Sequence, residues 1–186
     1  DVITSSGQTS TAYDFAISRR NDIDFTCIGK NASKLAKRSQ DAIAIEAHRT
    51  EVILHPFAFS DLIENAFIPS IDADNVQKGR SNLIGKRGEI IANKDLSIYD
   101  DGILEGGIET GVADDEGVAS QKTTVIEKGE FMSYLYDTYT AGKDNVESTG
   151  NASRNSYLST PSVGTRNLII DFPQCDVVAD TESGVY

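Results

Sequence analysis

The fold of this 186-residue chain is decided by the stretch Thr123-Thr124-Val125-Ile126-Glu127-Lys128-Gly129-Glu130-Phe131-Met132-Ser133-Tyr134-Leu135. Two short strand-like runs, residues 123–126 and 131–135, flank the dipeptide Lys128-Gly129. A glycine-containing pair between two such runs is typical of the tight turn in a β-hairpin, because glycine readily adopts the positive φ of that turn. The stretch therefore predicts two antiparallel strands.

The neighbouring segments add helices before this hairpin and strands around it. Further strand-like runs lie at residues 96–99 and 168–170. A helical pattern begins at Pro56, which suits the first turn of a helix, and we expect that helix to end before Pro69. A second short helix is expected from Asp72 to Lys78. Helices followed by antiparallel strands predict the α+β class, mainly an antiparallel sheet with a few flanking helices.

The first 54 residues carry patterns of their own. Apolar and polar residues alternate on both sides of a polar turn, which predicts a β-hairpin within residues 12–28. In this hairpin Cys27 lies on the apolar side and is expected in the core. A helix is then expected from Asn31, which suits an N-cap, to His48, and a short buried strand over residues 51–54.

Composition is that of an ordinary globular protein and excludes several functions. Charged residues make up 25% and hydrophobic residues 39%, and no apolar run approaches the roughly 18–20 residues of a membrane-spanning helix. The net charge of -12 opposes binding to phosphate backbones, so no direct contact with nucleic acid is expected. Two cysteines, Cys27 and Cys175, cannot form a disulfide framework, which favours a reducing, cytoplasmic location.

Candidate chemistry is concentrated in two acidic loops. His48 and His55 lie seven residues apart, which is not the spacing that places two metal ligands on one helical face. Residues 79–87 lack the glycine spacing and the Ser or Thr of a phosphate-binding loop. The carboxylates of Asp100-Asp101 and Asp114-Asp115-Glu116 suit general acid–base chemistry, a hard cation, or the capping of turns.

Several short segments follow one another in a characteristic order. They are residues 77–89 (QKGRSNLIGKRGE), 96–102 (LSIYDDG), 114–118 (DDEGV), 125–129 (VIEKG), 139–141 (YTA), 148–152 (STGNA) and 166–168 (RNL). Each segment is common by itself, but the ordered series resembles the TldD/PmbA family, once described as modulators of DNA gyrase. The resemblance covers roughly residues 49–170.

The resemblance implies two related subunits, of which only TldD carries the HExxxH helix of a zinc metalloprotease. The corresponding positions here are Glu64 for the first His, Asn65 for the Glu and Pro69 for the second His. Zinc hydrolysis needs imidazole ligands and a carboxylate that activates water, whereas Asn65 cannot take a proton and Pro69 has no ligand atom. We therefore expect no catalytic or metal-binding residue in this chain, and zinc only in a TldD-like partner.

The same resemblance predicts domains and partners. Residues 1–48 would end a central domain with a hairpin and a helix, and residues 49–186 would begin a C-terminal α+β domain cut short at its end. The predicted function is that of a non-catalytic PmbA/TldE-like subunit, paired with a TldD-like protease or a second copy of itself, acting on unfolded peptides. Asp100, Asp101, Asp114, Asp115 and Glu116 are the candidates for lining the cleft or the interface.

Two alternatives to this function stay open at the level of the sequence. The chain is a metallopeptidase in its own right if it holds a metal through carboxylates in an unfamiliar arrangement. It is a self-associating structural or binding module if it has no proteolytic partner.

Overall fold

The computed structural model describes residues 1–6, 8–44, 46–49 and 52–173. Contacts divide the chain into compact units at the boundary between Val52 and Ile53. The first unit contains β1 (Val2–Ser6), β2 (Gln8–Ala12) and α1 (Phe25–Arg38). The second contains α2 (Pro56–Leu62), a π-helical segment (Ile63–Phe67), α3 (Ile68–Ile71), α4 (Ala73–Gln77), β3 (Ser97–Asp101), β4 (Lys122–Glu127), β5 (Glu130–Phe131), α5 (Thr138–Asp144), β6 (Ala152–Ser153), β7 (Ser162–Val163) and β8 (Leu168–Asp171).

The second unit is built on a four-stranded antiparallel sheet with the strand order β5-β4-β3-β8. Lys128 and Gly129 join β4 to β5 with φ angles of 48° and 83°. Positive φ at both central residues is the geometry of a type I′ turn, which matches the twist of the paired strands. The predicted hairpin is therefore confirmed.

The second strand of that hairpin is shorter than predicted, because residues after Phe131 leave the sheet. Leu135 instead donates its N–H to the Ile71 carbonyl at 2.9 Å and accepts the Ala73 N–H at 3.1 Å. These two bonds connect the segment that follows the sheet to the helices. Phe131, Ile71, Leu135 and Val125 are all fully buried in the resulting core. The α+β class and the antiparallel sheet with flanking helices are confirmed.

Buried tyrosines extend this core. The rings of Phe131 and Tyr134 meet edge to face at 4.9 Å, and those of Tyr134 and Tyr136 at 6.4 Å. The Tyr136 hydroxyl donates to Asp144 Oδ2 at 3.1 Å. Burial, and then this hydrogen bond, raises the pKa of Tyr136 to about 12.

Tyr136 is expected to make stability fall at high pH. Its pKa in the unfolded chain is 10.0, so the folded state binds the phenolic proton more tightly. Its contribution to the free energy of unfolding is complete below pH 10 and declines by about 2 kcal/mol as the pH rises toward 12. Urea denaturation of the wild type and Y136F across this range measures the decline. An equal decline in Y136F would contradict the assignment.

The first unit differs from prediction at its hairpin. The hairpin pairs β1 with β2, whereas residues 13–24 form no regular element and Phe25 opens α1. Asp24 explains the difference, because its Oδ1 accepts the N–H groups of Thr26 at 2.9 Å and Cys27 at 3.1 Å and so caps a helix. The prediction of Cys27 as a core residue was wrong, since its side chain is exposed.

The helix predicted over residues 31–48 is also displaced. It begins at Phe25 and ends at Arg38, and Asp41 follows with a φ of 56°, which no continuing helix permits. Of the strand predicted at residues 51–54, Glu51 lies outside the described residues. Val52–Leu54 form no strand and expose much of their side chains. Among the described residues, no helix combines the length and apolar character needed to cross a bilayer.

Candidate functional site

The residues predicted to stand at the HExxxH positions, Glu64, Asn65 and Pro69, lie on one helical stretch from Pro56 to Ile71. His55 caps it, since its Nδ1 accepts the Phe57 N–H at 3.3 Å. The predicted start is confirmed, but the predicted end before Pro69 was wrong, because α3 continues through that proline. A π turn shifts the hydrogen bonding there, since the Ile68 N–H bonds to the Ile63 carbonyl five residues earlier, and Pro69 lies in the first turn of α3.

The residues at the motif positions do not fit zinc. Glu64 offers one exposed carboxylate, and the Asn65 amide donates to the Asp61 carbonyl one turn earlier at 2.8 Å. Pro69 has no donor atom that could bind a metal. In the described part of the chain, no group of three or more His, Cys, Asp or Glu side chains is placed to hold a metal ion.

An apolar groove of about 550 Å³ lies beside this helical stretch. Its walls come from α2, the π segment and α3 on one side and from β3, β4 and β8 on the other. The apolar lining includes Phe59, Leu62, Ile63, Ala66, Phe67, Leu83, Ile91, Ala92, Leu96, Ile98, Ile126 and Ile170, and Lys86 is its one basic member. We refer to it as the apolar groove.

The first acidic loop is organised by Asp100, whose side chain is 1% exposed. Asn151 donates its Nδ2–H to Asp100 Oδ2 at 2.6 Å, and the Arg166 N–H donates to Asp100 Oδ1 at 2.9 Å. Asn151 also donates to the Gly164 carbonyl at 2.9 Å. Burial raises the pKa of Asp100, although the bonds from Asn151 and Arg166 act in the opposite direction.

The second acidic loop is organised in the same way by Asp114. Its Oδ1 accepts the N–H groups of Glu116 at 3.0 Å and Val118 at 2.9 Å, and its Oδ2 accepts the Ala152 N–H at 3.0 Å. Since Asn151 and Ala152 are consecutive, residues 151–152 bring the two acidic loops together. Asn151 was not among the predicted site residues, and its only signal in the sequence is its place in the STGNA segment.

The other three acidic candidates also receive bonds from the main chain. Asp101 Oδ1 accepts the Ile103 N–H at 3.0 Å, Asp115 Oδ2 the Arg154 N–H at 2.7 Å, and Glu116 Oε2 the Thr138 N–H at 2.8 Å. Each of the five carboxylates thus accepts at least one hydrogen bond from a main-chain N–H, which is the turn-capping role considered above. Asp115 is exposed and Glu116 half-buried, so these two reach the surface most readily.

Residues 47–186 match the family model described as the PmbA/TldA metallopeptidase C-terminal domain. The chain belongs to the PmbA/TldD family. Among its relatives, the uncharacterized protein MJ0231 of Methanocaldococcus jannaschii is 41% identical over 82% of this chain. The Metalloprotease TldD homolog of Haemophilus influenzae is 30% identical over 89% of this chain. The chain spans 36% and 35% of the lengths of these two proteins.

Solved structures support membership of the PmbA/TldD family. TldE from Thermococcus kodakarensis superposes with a TM-score of 0.82 at 26% identity, covering 91% of this chain and 39% of that one. A protein from Thermotoga maritima that is named for modulation of a DNA gyrase superposes with a TM-score of 0.79 at 31% identity. The match covers 90% of this chain and 38% of that one. The predicted family is confirmed, and the names TldD and TldE both occur among these relatives.

Proposed function

We propose that this chain belongs to a non-catalytic PmbA/TldE-type subunit that pairs with a TldD-like zinc metalloprotease and helps to enclose its peptide substrates. The observation that carries this proposal is the set of residues at the motif positions. Neither of the two His positions carries an imidazole, the Asn65 amide cannot act as a general base, and the Pro69 side chain has no ligand atom. In this scheme the zinc and the water that it activates belong to the partner.

The sheet offers a surface on which an extended peptide can be held. β8 pairs with β3 on one side, and no further strand pairs with its outer edge in the described part of the chain. An unfolded peptide that added to this edge would be bound through its main chain, with little selection for sequence. That mode of binding suits a complex that processes many different peptides.

Among the five acidic candidates, Asp115 and Glu116 are those we assign to the interface or cleft. Their exposure supports this, whereas Asp100, Asp101 and Asp114 are buried and hold the loops together. The net charge of -12 favours a partner with a basic contact surface and disfavours nucleic acid. We place the complex in the reducing cytoplasm, because the chain uses few cysteines.

The pairing is tested by mixing this chain with a TldD-like protein and measuring both binding and peptide cleavage. We expect the mixture to cleave unfolded peptide, a chelator to abolish cleavage, and this chain alone to be inactive. The variant D115S/E116S should weaken binding, whereas D95S, an exposed aspartate outside both loops, should not. Unchanged affinity in D115S/E116S would remove these residues from the interface, and no binding at all would overturn the pairing.

The competing function, a metallopeptidase in its own right, is favoured by one observation. MJ0996 of Methanocaldococcus jannaschii, named Metalloprotease, is 33% identical over 73% of this chain. If this alternative is right, the purified chain should cleave peptides without any partner subunit, and a chelator that removes the metal should stop the cleavage.

A further inference from the structure

Helix α1 carries four basic residues and no acidic residue. The strands β1 and β2, against which it packs, contain no charged residue at all. In a chain whose net charge is -12, these three elements are therefore purely basic. The four cations are Lys30, Lys34, Lys37 and Arg38, and we call them the basic face of α1.

The basic face lies on the side of α1 that is turned away from the hairpin. Ala32 and Ala36 are buried, whereas Lys30, Lys34 and Lys37 are exposed. With about 3.6 residues per turn, these lysines fall within one arc of the helix, roughly opposite the two alanines. The lysines are thus presented together to solvent.

No carboxylate of the described residues forms an ion pair with these lysines. Asp24 uses its carboxylate to cap the helix. Lys34 lies four residues after Lys30 and three before Lys37, so their like charges repel one another and destabilise the helix. The helix dipole favours cations in the last turn, which accounts for Lys37 and Arg38 but not for Lys30 or Lys34. A bound anion would relieve this repulsion.

The basic face borders an open depression of about 820 Å³. Gly29 and Ser33 also line it, and neither residue fills the space between the long lysine side chains. A Cβ at Gly29 would meet no atom within 4 Å. Phe25, which is 78% exposed, lines the same depression. The size of the depression suits a segment of several residues better than a single small ion.

The spacing of the cations matches that of side chains in an extended peptide. A helix rises about 1.5 Å per residue, so Lys30 and Lys34, and likewise Lys34 and Arg38, lie about 6 Å apart along its axis. In an extended chain, side chains on the same side repeat every second residue, or about every 6.6–6.8 Å. Acidic side chains at alternate positions of such a chain would therefore each meet one cation of the basic face.

Nucleic acid is the less suitable anion for this surface. Because salt screens charges over about 8–10 Å, a short acidic segment would interact mainly with α1 itself. A nucleic acid extends further and meets the net charge of -12, which opposes its phosphates.

We propose that the basic face of α1 binds acidic stretches of extended, unfolded polypeptide. Each carboxylate of the stretch would pair with a lysine that has no ion-pair partner among the described residues, and Phe25 would contact an apolar side chain beside the stretch. As a substrate class, acidic unfolded peptide rests on the proposed function. The binding itself is measured on this chain without any protease subunit.

Fluorescence anisotropy with a labelled, end-blocked peptide of alternating Asp and Ser tests the proposal. We expect saturable binding that weakens as salt is added, and a dissociation constant that rises at least about tenfold in K30Q/K34Q/K37Q. Glutamine forms helices about as well as lysine, so this variant should keep its fold, which circular dichroism checks. The control K94Q/K122Q/K143Q removes the same charge from exposed lysines elsewhere and should change the dissociation constant far less.

Reversing the charge of the basic face gives the sharper result. K30E/K34E/K37E should lose the acidic peptide and should bind a peptide of alternating Lys and Ser more tightly than the wild type does. No saturable binding of the acidic peptide, an equal loss in the control variant, or tighter binding of a single-stranded oligonucleotide of equal charge would overturn the proposal. Each of these results would leave the proposed pairing with a TldD-like protein standing.

Discussion

Replacing Asp100 by alanine is expected to lower the free energy of unfolding by about 3–5 kcal/mol. The variant leaves the Asn151 amide and the Arg166 N–H facing a buried space without their acceptor. It also releases the contact through which Asn151 holds the Gly164 segment near β3. Urea denaturation measures the loss. D95A removes an exposed aspartate and should change stability by less than about 0.5 kcal/mol.

The pH dependence of this loss has a definite sign. Burial raises the pKa of Asp100 above its ordinary value of 3.8, so the folded state binds the proton more tightly than the unfolded state does. The contribution of this ionisation to stability is therefore largest at low pH and declines as the pH rises through the raised pKa. The difference in the free energy of unfolding between the wild type and D100A should therefore become smaller as the pH rises through the raised pKa of Asp100. A loss below 1 kcal/mol, or a difference that widens, would contradict the account of Asp100.

Replacing Gly129 by alanine is expected to destabilise the protein by about 2–5 kcal/mol. Its φ of 83° disfavours any side chain, and a Cβ there would lie 2.6 Å from the Ala92 carbonyl oxygen and 2.8 Å from that of Asn93. Both clashes are with backbone, which cannot move aside as a flexible side chain would. Because Gly129 closes the β4–β5 hairpin, we expect the substitution to destabilise the sheet directly.

Gly142 provides the matched control for Gly129. It lies on the exposed side of α5 with open space around the position of a Cβ. G142A should therefore stabilise the protein by about 0.5–1 kcal/mol through helix propensity. Thermal and urea denaturation of both variants test the contrast. Equal effects of G129A and G142A would show that the turn geometry does not limit stability.

Features of the fold set by local chemistry were predicted well from the sequence. Lys128-Gly129 predicts its turn because positive φ is a local requirement, and Asp72 caps α4 through the Asp74 N–H at 2.8 Å. In the first unit, the alternation of apolar residues at Ile23, Phe25 and Cys27 predicts a strand, although Asp24 caps a helix there. The capping box of α5, between Asp137 and Thr140, was also overlooked.

The candidate site was only partly predictable, for a physical reason. The motif positions follow from the order of segments along the chain, so Glu64, Asn65 and Pro69 could be assigned to them from the sequence, and that assignment stays a prediction. The partners of Asp100 lie 51 and 66 residues away, and only tertiary packing brings them together. No local spacing encodes such bonds. The continuation of the helix through Pro69 likewise depends on a π turn that no local pattern indicated.

The proposed function requires that this chain supply neither the zinc nor the catalytic residues of a peptidase. Elemental analysis of the purified chain, after loading with zinc and dialysis, tests it most directly, with peptide cleavage measured on the same sample. We predict far less than one zinc per chain and no cleavage. One zinc per chain that survives dialysis and is lost in E64A, together with cleavage that a chelator stops, would contradict it.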